Sequence, residues 1–418
     1  MAYGSQTARE FSSAWAALSS EASAIWSYLG EEPSGILAAP VTSAGGCSTD
    51  GSTRTKTVQQ REALRHKLLE RALSIHPDRN ARPVTVFQNI ADDKCAGAWL
   101  LALPSGDNSI SSSVFKEALS NHLCLPSPAI RSGGWLGKQV GTKGQIVDKF
   151  GDSVLCCNEI VGDAWRSRHD SVKQALYREA CLSKIPVDCE VYGQFADLLP
   201  ASLTQEDGEL QWGRARQGKV PDFKFLLPTP EGPKSALAEL KVLSCGKTWY
   251  PRGVKGKGTS RRAARLSQEY IGKLRDLDSR FHGTASGAVG PLVSRFFDLG
   301  GLERGCLVAG PYGDVSPDFH QLIQILAESR TANLSRAQGF DCSEGFLGKI
   351  TGEIRRNLST TIIRACAESL LERLQHISPA AKRRADSLKL EFRRRREREA
   401  VEAAWRARGS CRIGRAFV

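Results

Sequence analysis

Residues 220–243 constrain this chain more than any other stretch. Val220-Pro221-Asp222 leads into Phe223-Lys-Phe-Leu-Leu227, a Pro/Gly cluster follows at 228–233, and Ser235-Ala-Leu-Ala-Glu-Leu-Lys-Val-Leu243 resumes the apolar run. Two short apolar runs parted by turn residues predict a β-hairpin or two neighbouring strands. A strand shows alternate residues on one face, so Glu239 and Lys241 point the same way and Asp222 stands at the mouth of the preceding strand. Two carboxylates and one ammonium then converge on one spot.

Glu and Lys two apart on an edge strand are often only a charged, aggregation-resistant face. Here Ala236, Ala238, Leu240, Val242 and Leu243 make a nearly continuous apolar run, the pattern of a strand covered on both faces. A carboxylate and an ammonium in such a strand need a partner or an ion. Converging carboxylates suit Mg²⁺ (or Mn²⁺), which keeps several waters and can hold a phosphate at the same time. Such an ion lowers the pKa of a bound water, and a nearby Lys can orient or deprotonate that water. The expected chemistry is hydrolytic cleavage of a phosphodiester, with Asp222 and Glu239 as metal ligands and Lys241 acting on the water.

Pro221-Asp222 followed by Glu239-Leu240-Lys241 resembles the PD-(D/E)XK signature of restriction-like endonucleases. Arg168-His169-Asp170 resembles the Arg-His-Asn/Asp element that precedes this signature in site-specific non-LTR retrotransposons. The order of expected elements is similar too: a helix at 168–182, a strand at 185–192, the two strands above, a long basic helix at 260–281 and a short apolar strand at 306–313. The resemblance implies an α/β fold with a PD-(D/E)XK restriction-endonuclease-like αβββαβ core, a mainly helical N-terminal region and basic C-terminal helices. It also makes His169 or Arg168 a candidate for positioning a scissile phosphate, and Glu179 and Glu190 candidates for a further metal-directed carboxylate. By residue chemistry alone, Arg168-His169-Asp170 is equally a helix start with an acid in its first turn, and a lone Glu is more commonly a solvated charge.

Residues 96–119 resemble the connector that follows the reverse transcriptase domain in such retroelements, and they fit a small helical domain equally well. Ala91-Asp92-Asp93 matches a triplet that polymerases use to bind metal, yet no second carboxylate motif surrounds it. Residues 147–157 are similar to the place where the family carries a Cys-Cys-His-Cys zinc knuckle. The upstream cysteine pair is missing from 141–146 and Ser153 stands where His belongs, so no zinc is expected there.

A net charge of +13 and a pI near 9.3 favour polyanionic partners, DNA and possibly RNA before membrane. The stretch 246–262 is dense in Gly, Lys and Arg with Trp249 and Tyr250 interleaved, and it follows the proposed metal site directly. Lys247, Arg252, Lys255, Lys257, Arg261 and Arg262 there can follow a phosphate backbone while the aromatics stack on a base, and Arg265, Gln268 and Lys273 come near if the next helix packs over the sheet. A disordered surface loop is the plainer alternative. Residues 380–408 read as a basic helix that binds nucleic acid, directs nuclear import or stands solvated.

The expected organisation is an amino-terminal helix and linker (1–57), a helical connector (58–146), an endonuclease domain (147–338) and a basic helical region (339–418). Helices are expected at 8–29, 59–75, 318–338 and 352–374. Twelve scattered cysteines without a Cys-x-x-Cys pair suit buried thiols in the nucleus or cytoplasm, and the longest apolar run, 96–103, is too short to cross a bilayer. The pattern leaves three functions open: a metal-dependent DNA endonuclease derived from a retroelement, a non-catalytic nucleic-acid-binding protein on the same fold, or an inert remnant. Oligomeric state is left open as well.

Overall fold

The computed structural model describes most of residues 82–377 and a few positions between 66 and 74. Segments 1–65, 75–81, 141–144, 161–163, 190–194, 200–220, 245–257, 300–304, 339–343 and 378–418, with a few other positions, lie outside that description. The helices expected at 8–29 and 380–408 and the linker at 30–57 therefore fall outside it.

The fold is mixed α/β and mainly helical. Helices α1 (Arg82–Asp92), α2 (Ser112–His122) and α3 (Pro128–Ser132) come first, then a small antiparallel hairpin of β1 (Gln139–Val140) and β2 (Gln145–Ile146), then the short α4 (Asp152–Cys156). The long α5 (Ala164–Leu182) leads into β3 (Val187–Cys189), β4 (Phe223–Leu227), β5 (Lys234–Val242), α6 (Gly258–His282), α7 (Pro291–Asp298) and β6 (Cys306–Ala309). Two long helices, α8 (Pro317–Gln338) and α9 (Glu344–His376), complete the described chain. Strands β3 to β6 lie side by side in chain order, antiparallel except for β6, which runs parallel to β5.

The Pro/Gly cluster makes the turn between β4 and β5. Thr229 and Gly232 exchange backbone hydrogen bonds, and Gly232 takes φ +119°, a conformation that only glycine adopts without strain. From that turn the register runs from Leu227 opposite Lys234 to Phe223 opposite Ala238. Strand β6 stops at Ala309, short of the expected 313, because Pro311 has no N–H to offer and Gly313 turns into the left-handed region at φ +81°.

Alternation along the strands builds two apolar layers. Phe223, Phe225, Ala236, Ala238, Leu240 and Leu307 face Val172 and Leu176 of α5, Phe319 and Leu322 of α8, and Leu358 and Ile362 of α9. On the other face Leu237 meets Tyr270 and Leu274 of α6 and Leu292 of α7, while Leu243 and Val308 meet Ala263 and Leu266. Strand β5 is thus covered on both sides.

Helix α5 ends in a Schellman motif that fixes its angle to the sheet. Ile185 N–H donates to Ala180 C=O and Lys184 N–H to Cys181 C=O, with Lys184 left-handed at φ 54° and Ile185 buried in the core. Helix α9, grouped by sequence with a separate carboxy-terminal region, starts before the expected 352 and runs through the same core as α5. Among the described residues no helix is long and apolar enough to cross a membrane.

Candidate functional site

Continuing the β4–β5 register one step past Phe223 and Ala238 brings Asp222 opposite Glu239. Strand β5 outruns β4 here, so Leu240 N–H has no strand partner on that side, and the Asp222 carboxylate accepts it at 2.8 Å through Oδ2. Glu239 N–H turns the other way, to Gly305 C=O at 2.9 Å beside β6. On the face shared by alternate residues, Lys241 Nζ meets Glu239 Oε1 at 2.6 Å. Helix α5 brings two basic side chains to Asp222: His169 Nε2 lies 3.4 Å from Oδ2 and Lys173 Nζ 3.6 Å from Oδ1.

Asp222, Glu239 and Lys241, which strand spacing singled out, and His169, which entered only through the family resemblance, are therefore gathered at one end of the sheet. Lys173 is a member that the sequence did not single out. Its signal is its position four residues after His169, on the same stripe of α5.

Burial disfavours ionisation of Glu239; Lys241 opposes this, and the neighbouring Asp222 charge adds to it, so that the Glu239 carboxyl is held above the usual range. Burial acts on Asp222 too, but the hydrogen bond and charge of His169, the Leu240 N–H and Lys173 outweigh it and hold that carboxyl low. For His169 burial works against the charged ring, and the Asp222 hydrogen bond and charge, helped by Asp170, prevail and raise its pKa.

The His169–Asp222 pair has a calculable pH signature. The raised His169 contributes stability that is complete below its unfolded value of 6.5 and is lost as pH rises through the raised folded value. The lowered Asp222 contributes stability that is complete above 3.8 and is lost as pH falls through its depressed folded value. The stability difference between wild type and His169→Gln should thus be greatest between pH 3.8 and 6.5 and shrink on the alkaline side. Urea unfolding at a series of pH values checks this, and a difference that persists unchanged at high pH contradicts it.

Other expected site residues are not brought to this point. Arg168 is turned inward: its guanidinium is buried and donates to Ser244 Oγ at 2.9 Å and to Val242 C=O at 3.3 Å, so it ties α5 to β5 rather than reaching a nucleic acid backbone. Glu179 is buried and held by Asn357 Nδ2 at 2.8 Å and by Arg330, far along α5 from the cluster. Arg261 and Arg265 are exposed on α6, and both Arg262 and Arg265 pair with Glu269. Glu190, Lys247, Arg252, Lys255 and Lys257 lie outside the described residues.

The donor set at Asp222 and Glu239 suits a hard dication by its chemistry: two carboxylates at neighbouring register positions, oxygen only. His169 does not close with them into a compact triad. Among the described residues the one group of three or more acidic, His or Cys side chains with donor atoms all within 4.8 Å of one another is Asp93, Cys95 and His320. That group could hold a metal ion; Asp93 belongs to the Ala91-Asp92-Asp93 triplet noted in the sequence, whereas Cys95 and His320 were not singled out there.

No protein-family model matches this chain, and none of the curated proteins or solved structures matches it.

Proposed function

We propose that the chain is a metal-dependent endonuclease of the restriction-like class, acting on DNA and derived from a retroelement, with the αβββαβ order of α5 to β6 serving as a PD-(D/E)XK core. The observation that carries this reading is the register that sets Asp222 opposite Glu239, with Lys241 on the Glu239 face. A divalent cation held by the two carboxylates would activate a bound water and offset charge on the scissile phosphate. Leu240 N–H fixes the Asp222 carboxylate, leaving it oriented with lone pairs to spare. Lys241, 40% exposed, is free to swing from Glu239 towards an attacking water. His169, whose pKa Asp222 raises, and the exposed Arg261 and Arg265 would receive phosphate oxygens.

A second reading keeps the fold and the charge and drops the chemistry. It is favoured by one specific feature: each carboxylate already has a basic side chain beside it, Lys241 for Glu239 and Lys173 with His169 for Asp222. Incubation with supercoiled plasmid separates the two. Nicking or linearisation that requires Mg²⁺ or Mn²⁺ and stops with EDTA is the expected result. Salt-sensitive DNA binding without metal-dependent cutting sinks the enzymatic reading in favour of the second.

A further inference from the structure

Away from the sheet end, three side chains of different chemistry meet where the amino-terminal helices join the core. Asp93 and Cys95 follow α1, and His320 lies in the first turn of α8. Their donor atoms lie within 4.8 Å of one another. His320 Nε2 meets Asp93 Oδ2 at 2.9 Å, and the carboxylate is held by main chain: Cys95 N–H donates to Oδ1 at 2.7 Å and Val315 N–H to Oδ2 at 3.1 Å. Asp93 is buried and Cys95 fully so, while the His320 side chain keeps 26% of its surface in solvent. Burial above all, and then the Asp93 charge, hold the Cys95 thiol well above its ordinary range, with Arg355 opposing and Asp314 adding to it.

We propose that Asp93, Cys95 and His320 form a site for a zinc-like divalent ion, with a fourth position open to water on the exposed side of His320. A thiolate, an imidazole and a carboxylate are a borderline-soft set that selects zinc over magnesium. Tetrahedral bonds of about 2.0–2.3 Å set neighbouring donors roughly 3.3–3.8 Å apart, which the present grouping reaches by small side-chain shifts. Main-chain N–H groups behind the carboxylate supply the outer-sphere support such ligands need. On binding, the Cys95 S–H bond breaks as sulfur bonds the metal and its proton leaves to solvent. His320 binds through a neutral ring nitrogen, its remaining N–H on the other.

The ion would join residues 227 apart in sequence and pin the segment after α1 to the first turn of α8. This place is distinct from the incomplete zinc knuckle, where Ser153 Oγ instead accepts the Asp148 N–H at 3.0 Å and Ser153 N–H returns to Asp148 Oδ2. It is equally distinct from the Asp222–Glu239 pair, so it stands or falls independently of nuclease activity.

The test is elemental analysis of the full-length protein purified without chelator, followed by cobalt exchange. About one zinc per chain is expected, and a thiolate-to-cobalt charge-transfer band should form in wild type and in Glu239→Ala alike. Cys95→Ser should abolish the band, and His320→Asn, at a partly exposed position that spares the core if the cysteine variant misfolds, should weaken zinc binding at least about tenfold. A folded wild-type protein that neither retains zinc nor gives the band overturns the proposal. So does a band that survives Cys95→Ser or disappears in Glu239→Ala.

Discussion

Truncating Ile362 to alanine should destabilise the protein by about 2–5 kcal/mol and unfold the sheet together with α9. Ile362 is fully buried and shares one apolar cluster with Leu176 of α5, Phe223 and Leu240 of the sheet and Phe319 of α8. Removing three carbons there forfeits their transfer free energy and leaves a cavity that four elements cannot easily collapse. Denaturant unfolding followed by far-UV circular dichroism and by tryptophan fluorescence checks it, since Trp99 is buried against Ile363 on the same helix. One shared midpoint, shifted equally for both probes, is the expected result. An early helical transition that leaves the rest folded would instead make α9 an independent unit.

That α9 belongs to the core was hard to read from sequence. Its first turns contain Gly345, Gly348 and Gly352, which local propensity assigns to a loop. Packing overrides propensity, because Phe346 and Leu347 reach the main cluster and Ile350 is buried within it. The β4–β5 hairpin was legible for the opposite reason: turn chemistry, strand alternation and the apolar runs all agree there. Alternation also placed Glu239 and Lys241 on one face correctly, because a period of two leaves no other choice.

Charged side chains were the weak point. An Arg at the start of a basic helix reads as solvent-facing, yet Arg168 satisfies Ser244 and the Val242 carbonyl more than 70 residues away, and no local pattern encodes such partners. Lys173 was missed in the same way. A lysine on an amphipathic helix is discounted as surface until a carboxylate from another strand is seen beside it. Glu179 shows the converse: what could have been a metal ligand is occupied by Asn357 and Arg330 from later helices.

Glu239→Ala should take metal-dependent cleavage to background while leaving the fold intact, whereas Asp222→Ala should damage both. The two acids look equivalent in sequence, but their surroundings differ. Among the described residues Glu239 has one close ionic partner, Lys241, which is exposed enough to return its ammonium to water, so losing that pair costs under about 1 kcal/mol. Burial already disfavours the Glu239 charge, and its removal relieves that penalty. Asp222 instead satisfies the Leu240 N–H and sits beside His169 and the buried Lys173. Deleting it leaves the Leu240 N–H without its acceptor and takes away the carboxylate that His169 and Lys173 share, at about 1–3 kcal/mol. Lys241→Met, judged against the same stability measurements, should slow cleavage about 10²–10⁴-fold if its ammonium acts on the water. Parallel melting curves and plasmid nicking rates decide between the roles. A Glu239→Ala protein that still cuts, or one that unfolds as readily as Asp222→Ala, makes the pair a structural clasp and removes the scissile centre from this sheet.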